Sequence, residues 1–313
     1  MGQIRQFVLC NLRGIGQVCF MGNALTGLLF LLGICYYAVF SQDLALIVGV
    51  IIGVVTANLT AMLMKVTPKA IDEGLLGFNG ALIGLAVPTF LMVSAEMWFL
   101  LIIGAMLTTV ISEGLNRFLT KSYGVPASTG PFVISAWLLM SAAYAFGNIH
   151  IDSLSHPTLA MDYDGGFSEF PDLMLFIRIF FKNIAQIFLL DSPVSGGLIL
   201  LGILLASVKA GIAAALGSLV SIFVAFYFGA DPDFVKEGLY GFSPVLTAMA
   251  LGVIFIKPSW KSAIYALMGI VITVIIQGSL DTLLLSYGIP SFTASYVFTM
   301  YLFMLAKNRH VVS

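Results

Sequence analysis

A chain of 313 residues that is 60% hydrophobic and only 9% charged, with a mean hydropathy of +1.05, cannot build a water-soluble surface, which ordinarily needs about a quarter of its residues charged. A formal net charge of −1 leaves no basic stripe for nucleic acid. The three cysteines, Cys10, Cys19 and Cys35, are odd in number and lack a C-x-x-C spacing, so they indicate neither a disulfide framework nor a zinc site.

The apolar runs are continuous rather than alternating, which predicts an all-α integral membrane protein and not a transmembrane barrel. In chain order the first half reads as apolar segments 4–20, 24–40, 44–64, 75–93, 97–118 and 126–146. After a polar stretch, 147–172, the second half reads as 173–190, 194–206, 210–228, 240–256, 262–284 and 290–306. The first segment of each half is unlike the others. Segment 4–20 contains Arg5, Asn11 and Arg13, and segment 173–190 contains Arg178, Lys182 and Asn183. A charged helix facing lipid at mid-depth is costly, so both are expected to be short re-entrant helices packed inside protein. Five spanning helices then remain in each half.

The chain is written twice. Residues 71–82, IDEGLLGFNGAL, return 164 positions later as 235–246, VKEGLYGFSPVL, and 123–129, YGVPAST, return at the same offset as 287–293, YGIPSFT. Upstream the offset is 169, which pairs Ile15, Gln17 and Gly27 with Ile184, Gln186 and Gly196. The expected division is a first repeat, 1–146, a connecting loop, 147–172, and a second repeat, 173–313. An odd number of spans per half makes the repeats inverted. Charge agrees. Threading ten spans puts Arg5, Arg13, Lys65, Lys69, Arg117, Lys121, Lys209, Lys257, Lys261, Lys307 and Arg309 on one side and only Arg178, Lys182 and Lys236 on the other. The positive-inside rule then places both termini in the cytoplasm and the loop 147–172, which has five acids and no Lys or Arg, outside.

Within the predicted spans there is no histidine, and the only acids are Glu113 and Asp281, both near span ends. An ion-coupled carrier would place a carboxylate near the midplane, so a neutral solute is expected. The Gly-x-x-Gly-Phe blocks ending at Phe78 and Phe242 read either as close helix packing or, since the axis of an inverted pair brings equivalent positions to the centre, as facing walls of a narrow passage. Gln17, Val18 and Phe20, with Gln186 and Ile187, stand where each re-entrant helix ends. The last carbonyls of a helix lack intrahelical partners and are tolerated in lipid only beside a wet path. The glutamines either extend that row of acceptors or cap local backbone. Thr129 and Thr293, each three residues beyond a proline, either face the passage or hydrogen-bond their own helix.

In these residues the chain resembles the urea transporter family. The resemblance rests on 12–20, LRGIGQVCF, on Thr26 and Gly27, on 74–79, GLLGFN, and 238–243, GLYGFS, and on 126–132, PASTGPF, with 290–293, PSFT. It implies ten spanning helices, two re-entrant pore helices, one pore per protomer and a homotrimer in the membrane, here a bacterial inner membrane. It further implies passive flow of urea and close analogues through a slot with Phe walls, backbone-oxygen ladders and two central threonines, and no cofactor or metal. Carried over by position, the pore residues are Gln17, Val18, Phe20, Phe78, Leu82 and Thr129, with Gln186, Ile187, Phe242, Leu246 and Thr293. Ser243 departs from the pattern, standing where the first half has Asn79, and so does Leu189, which stands opposite Phe20. The rival readings are an ion-coupled carrier of another small neutral amide and a membrane-embedded enzyme, for which the spans offer no nucleophile, base or metal cluster. The threading is tested with single cysteines in a cysteine-free background. An impermeant thiol reagent on intact cells is expected to label position 160 and not position 310, and the reverse pattern would invert the topology.

Overall fold

The computed structural model describes residues 2–154, 166 and 170–307. Most of the acidic connecting loop, His156 and His310 lie outside these residues. Among the described residues the chain is helical, with a lone antiparallel bridge between Leu91 and Ile151 and no named strand. It divides into two compact units, 1–154 and 155–313.

The first unit contains α1 (Gly2–Gln17), α2 (Ala24–Phe40), α3 (Ala45–Leu63), α4 (Pro68–Asp72), α5 (Gly77–Phe90), α6 (Ala95–Tyr123) and α7 (Gly130–Ala145). The second contains α8 (Leu173–Phe188), α9 (Pro193–Ala206), α10 (Val208–Tyr227), α11 (Pro232–Lys236), α12 (Phe242–Ile254), α13 (Trp260–Leu285) and α14 (Ala294–Lys307). Four of them, α3, α6, α10 and α13, are long and apolar enough to cross a membrane, and α2, α5, α7, α12 and α14 are apolar but shorter. The pair α8 and α9 is apolar too and bends by 73° at its junction. Large side chains such as Leu63, Phe99, Phe118, Leu205, Tyr227 and Leu283 are exposed, as expected of a surface that meets lipid.

Helix starts follow from capping chemistry. Side-chain oxygens of Asn23, Ser94, Asp172, Ser192, Ser207 and Ser259 accept backbone N–H groups in the first turns of α2, α6, α8, α9, α10 and α13, which satisfies donors that have no partner within the helix. The short helices α4 and α11 were not separated by the sequence reading. Each begins with a proline, after Thr67 or Asp231, where the fixed φ suits a first turn.

The two units repeat each other's backbone. Left-handed φ values occur at Phe20 (64°) and Leu189 (60°), Lys65 (56°) and Gly229 (65°), Gly74 (76°) and Gly238 (81°), Gly124 (65°) and Gly288 (68°), and Ser128 (51°) and Phe292 (50°). Every pair obeys the sequence offset. Glycine contacts repeat as well. A Cβ on Gly27 would lie 1.8 Å from the Leu12 carbonyl oxygen, and one on Gly196 would lie 1.9 Å from that of Phe181. A Cβ on Gly53 would meet the Gly80 carbonyl oxygen at 2.1 Å, and one on Gly217 that of Pro244 at 2.8 Å. In lipid, where apolar burial gives helices little reason to associate, such backbone approaches supply the packing.

The re-entrant expectation for α1 and α8 needs one correction. Only their C-terminal halves are packed in protein; the outer turns, with Arg5 and Arg178, are exposed. Both helices are amphipathic, so Arg5 and Arg178 sit on the outward face and need no partner in the core.

Adjacent glycines in α9 test the packing argument. Gly197 has nothing within 4 Å of a built Cβ, so Gly197→Ala is expected to be neutral or to stabilise by up to about 1 kcal/mol through helix propensity. Gly196→Ala is expected to destabilise by about 1–3 kcal/mol or more. Thermal unfolding of the two purified variants in detergent measures the difference, and equal melting temperatures would refute the close approach.

Candidate functional site

The ends of α1 and α8 are built alike. Phe20 N–H donates to the Gln17 carbonyl at 2.9 Å, and Met21 N–H reaches back to the Gly16 carbonyl at 3.0 Å. At the equivalent place Leu189 N–H donates to Gln186 at 3.1 Å and Leu190 N–H to Ala185 at 3.4 Å. This is the Schellman arrangement, in which a left-handed residue lets the chain satisfy the last carbonyls of the helix. The carbonyls of Gly16, Gln17, Ala185 and Gln186 therefore have partners inside the turn, and each keeps a second lone pair to offer. The left-handed residue is usually glycine, whereas here it is Phe20 or Leu189, a conformation that costs about 1–3 kcal/mol for a bulky residue and persists only where its surroundings enforce it. The residue equivalent to Phe20 is thus Leu189, while Phe188 matches Cys19, and both of these are fully buried.

The glutamine amides are fixed by one rule in both units. Gln17 Nε2 donates to the Glu73 carbonyl at 2.9 Å, and Gln186 Nε2 donates to the Glu237 carbonyl at 2.9 Å. Each amide therefore gives one N–H to backbone distant in sequence, 56 residues away for Gln17 and 51 for Gln186, and not to its own helix end. The glycine after each glutamate makes this possible. A Cβ on Gly74 would lie 2.4 Å from Gly14 N, and one on Gly238 would lie 2.7 Å from Asn183 N. Basic residues one turn earlier also bind locally: Arg13 Nη1 donates to the Asp72 carbonyl at 2.8 Å, and Lys182 pairs with Asp191. The Glu237 carboxyl is pushed above its usual range by desolvation and then by neighbouring Asp191.

Val18, Ile187, Leu82, Leu246 and Phe242 are buried, and Phe78 is half-buried. Phe78 and Phe242 stand in the opening turns of α5 and α12. Thr129 and Thr293 are 1% and 3% exposed. Each follows a left-handed residue, Ser128 or Phe292, and Thr129 does not use its side chain to cap α7.

The sequence reading missed the residue that holds the Thr129 turn. Asn79, next to Phe78, donates from Nδ2 to the Ser128 carbonyl at 3.2 Å and to Ser112 Oγ at 3.4 Å, and its Oδ1 accepts from Phe132 N–H at 3.2 Å. One buried amide thus clips the chain on both sides of Thr129. A polar residue inside an apolar block was the available signal.

The sequence profile described as "Urea transporter" matches residues 8–308. The chain is 29% identical to urea transporter 1 of Ovis aries over 313 residues, covering 98% of this chain and 79% of the relative. It is 28% identical to urea transporter 1 of Mus musculus over 310 residues, with the same coverage. A match running through both units and every block described above means that this chain belongs to the urea transporter family, a family of membrane transport proteins and not of enzymes.

Proposed function

We propose that the chain is a passive urea channel of a bacterial inner membrane, a homotrimer with one pore per protomer and both termini in the cytoplasm. Its two units are inverted repeats, each with five spanning helices and one re-entrant pore helix, and Gln17, Val18, Phe20, Phe78, Leu82 and Thr129 with Gln186, Ile187, Phe242, Leu246 and Thr293 line the path. The observation that carries this reading is the paired amide geometry. Each glutamine gives one N–H to a glutamate carbonyl, which anchors the amide and keeps its side-chain oxygen as an acceptor to offer, beside the second N–H. Urea is planar and neutral, with four N–H donors and a single carbonyl. A path bordered by acceptors replaces its hydration, aromatic walls select its flatness, and a hydroxyl can serve either end of the molecule.

Asp281, buried within α13, is the feature among the described residues that favours the ion-coupled alternative. Both of its carboxylate oxygens lie 3.0 Å from Gln277 Nε2, so the carboxylate has a structural duty. Stopped-flow urea efflux from proteoliposomes tests the proposal. Flux is expected to ignore membrane potential and pH gradients, and uphill urea accumulation driven by protons or sodium would overturn it.

Thr→Val at position 129 or 293 keeps the shape and removes the hydroxyl. An unmet polar group costs roughly 1–3 kcal/mol, and a tenfold rate loss corresponds to about 1.4 kcal/mol. Urea flux is therefore expected to fall roughly five- to hundredfold in either variant, with oligomer size unchanged and Thr→Ser far milder. Full flux in both Val variants would remove the threonines from the path.

A further inference from the structure

The turn that carries Thr293 is held by a different device from its counterpart. At the position of Asn79 the second unit has Ser243, whose buried hydroxyl has no hydrogen-bond partner. The grip comes instead from α13. Gln277 Nε2 donates to Ser291 Oγ at 2.7 Å, and Gln277 Oε1 accepts from Ser295 Oγ at 2.5 Å. The two serines stand two residues before and two residues after Thr293, so a single planar amide clips both shoulders of the turn. Gln277 is in turn oriented by Asp281 on the same helix face, four residues on. All four side chains are buried. The repeat-equivalent of Gln277 in the first unit is Glu113, which makes a 3.7 Å ion pair with mostly exposed Arg117 instead. The clamp has therefore moved between helices: from α5 in one unit to α13 in the other.

We propose that Gln277, oriented by Asp281, is the positioning residue for Thr293, doing in the second unit what Asn79 does in the first. This rests on the reading of Thr293 as a pore residue. The turn needs such a device because Phe292 holds φ at 50°, a region that bulky residues leave unless they are held. Relaxation there would rotate the neighbouring threonine, and a displacement of about 1 Å is enough to spoil a recognition site.

A double-mutant cycle on the full-length protein in proteoliposomes decides the matter, with stopped-flow urea flux normalised to correctly sized oligomer. Thr293→Val, Gln277→Leu and the double variant are compared. Gln277→Leu is expected to slow flux roughly five- to hundredfold, as Thr293→Val does. The double variant is expected to be no slower than the slower single, because both act through one hydroxyl. Ser295→Ala, which removes a single contact of the clamp, is expected to slow flux less. If Gln277→Leu does not assemble, Ser295→Ala takes its place in the same cycle. Melting temperature falls under either a structural or a positioning role, so it does not decide. Normal flux in the clamp variants while Thr293→Val is slow would overturn the proposal, as would losses that multiply in the double variant. Normal flux in Thr293→Val would remove the pore reading of that residue, and the positioning role with it, whatever the clamp variants do.

Discussion

A polar backbone group placed in lipid must find its partner within the protein, and a helix that stops short meets this demand at its last turn. In α1 and α8 the solution is a left-handed residue that folds the chain back onto its own carbonyls. The rest of each unit's site depends on that reversal. Beside it, both glutamine amides reach the carbonyl of a glutamate in a later link, between α4 and α5 for Gln17 and between α11 and α12 for Gln186. That link can come close only because Gly74 and Gly238 have no Cβ and adopt a positive φ. The same glycines lead directly into α5 and α12, whose first turns carry Phe78 and Phe242. One backbone requirement therefore places the glutamine, the glycine and the phenylalanine in a set order.

The units share this geometry while differing in the side chains that enforce it. Lys65 and Gly229 take the same left-handed turn, and Arg13 and Lys182 bind a carbonyl in one case and a carboxylate in the other. The offset change between the repeats also has a physical form. In the first unit a linker of several residues separates α2 from α3, whereas in the second Ser207 alone closes α9 and caps α10. A backbone plan satisfied twice by different chemistry shows that the plan, and not any one side chain, is what the fold requires.

Much of the architecture was legible because glycine and proline mark backbone events that few other residues allow. Gly74 with Gly238, and Gly124 with Gly288, marked the repeat at a fixed spacing, and the apolar runs announced the helices; that these glycines take left-handed turns is visible only in the structure. The glutamines were legible as candidates but not in orientation, because which end of an amide faces the chain depends on a carbonyl more than fifty residues away in each unit. Asn79 and Gln277 were harder still. A mid-helix amide in an apolar run says that a polar partner exists without saying where it is, and the partners lie across helices on turns whose shape is itself part of the answer. The exposed outer halves of α1 and α8 were misjudged because charge was counted along the segment and not around its helical face.

The local charges bear on why a neutral solute suits such a path. The C-terminal end of a helix carries partial negative charge, which attracts cations as readily as it accepts N–H groups. Arg13 and Lys182 stand one turn before the ends of α1 and α8, and Lys182 is matched by Asp191. A full positive charge beside the terminus opposes the long-range pull on a cation, since the energy between unit charges decays only as the inverse of distance. A hydrogen bond is decided within about 3 Å, so the local acceptors keep their value for an N–H donor that carries no net charge. On the proposed reading, the Arg13 guanidinium next to the carboxyl end of α1 opposes the field that would recruit cations and leaves the short-range geometry that recognises urea, whereas Lys182, already matched by Asp191, adds no such net charge at α8.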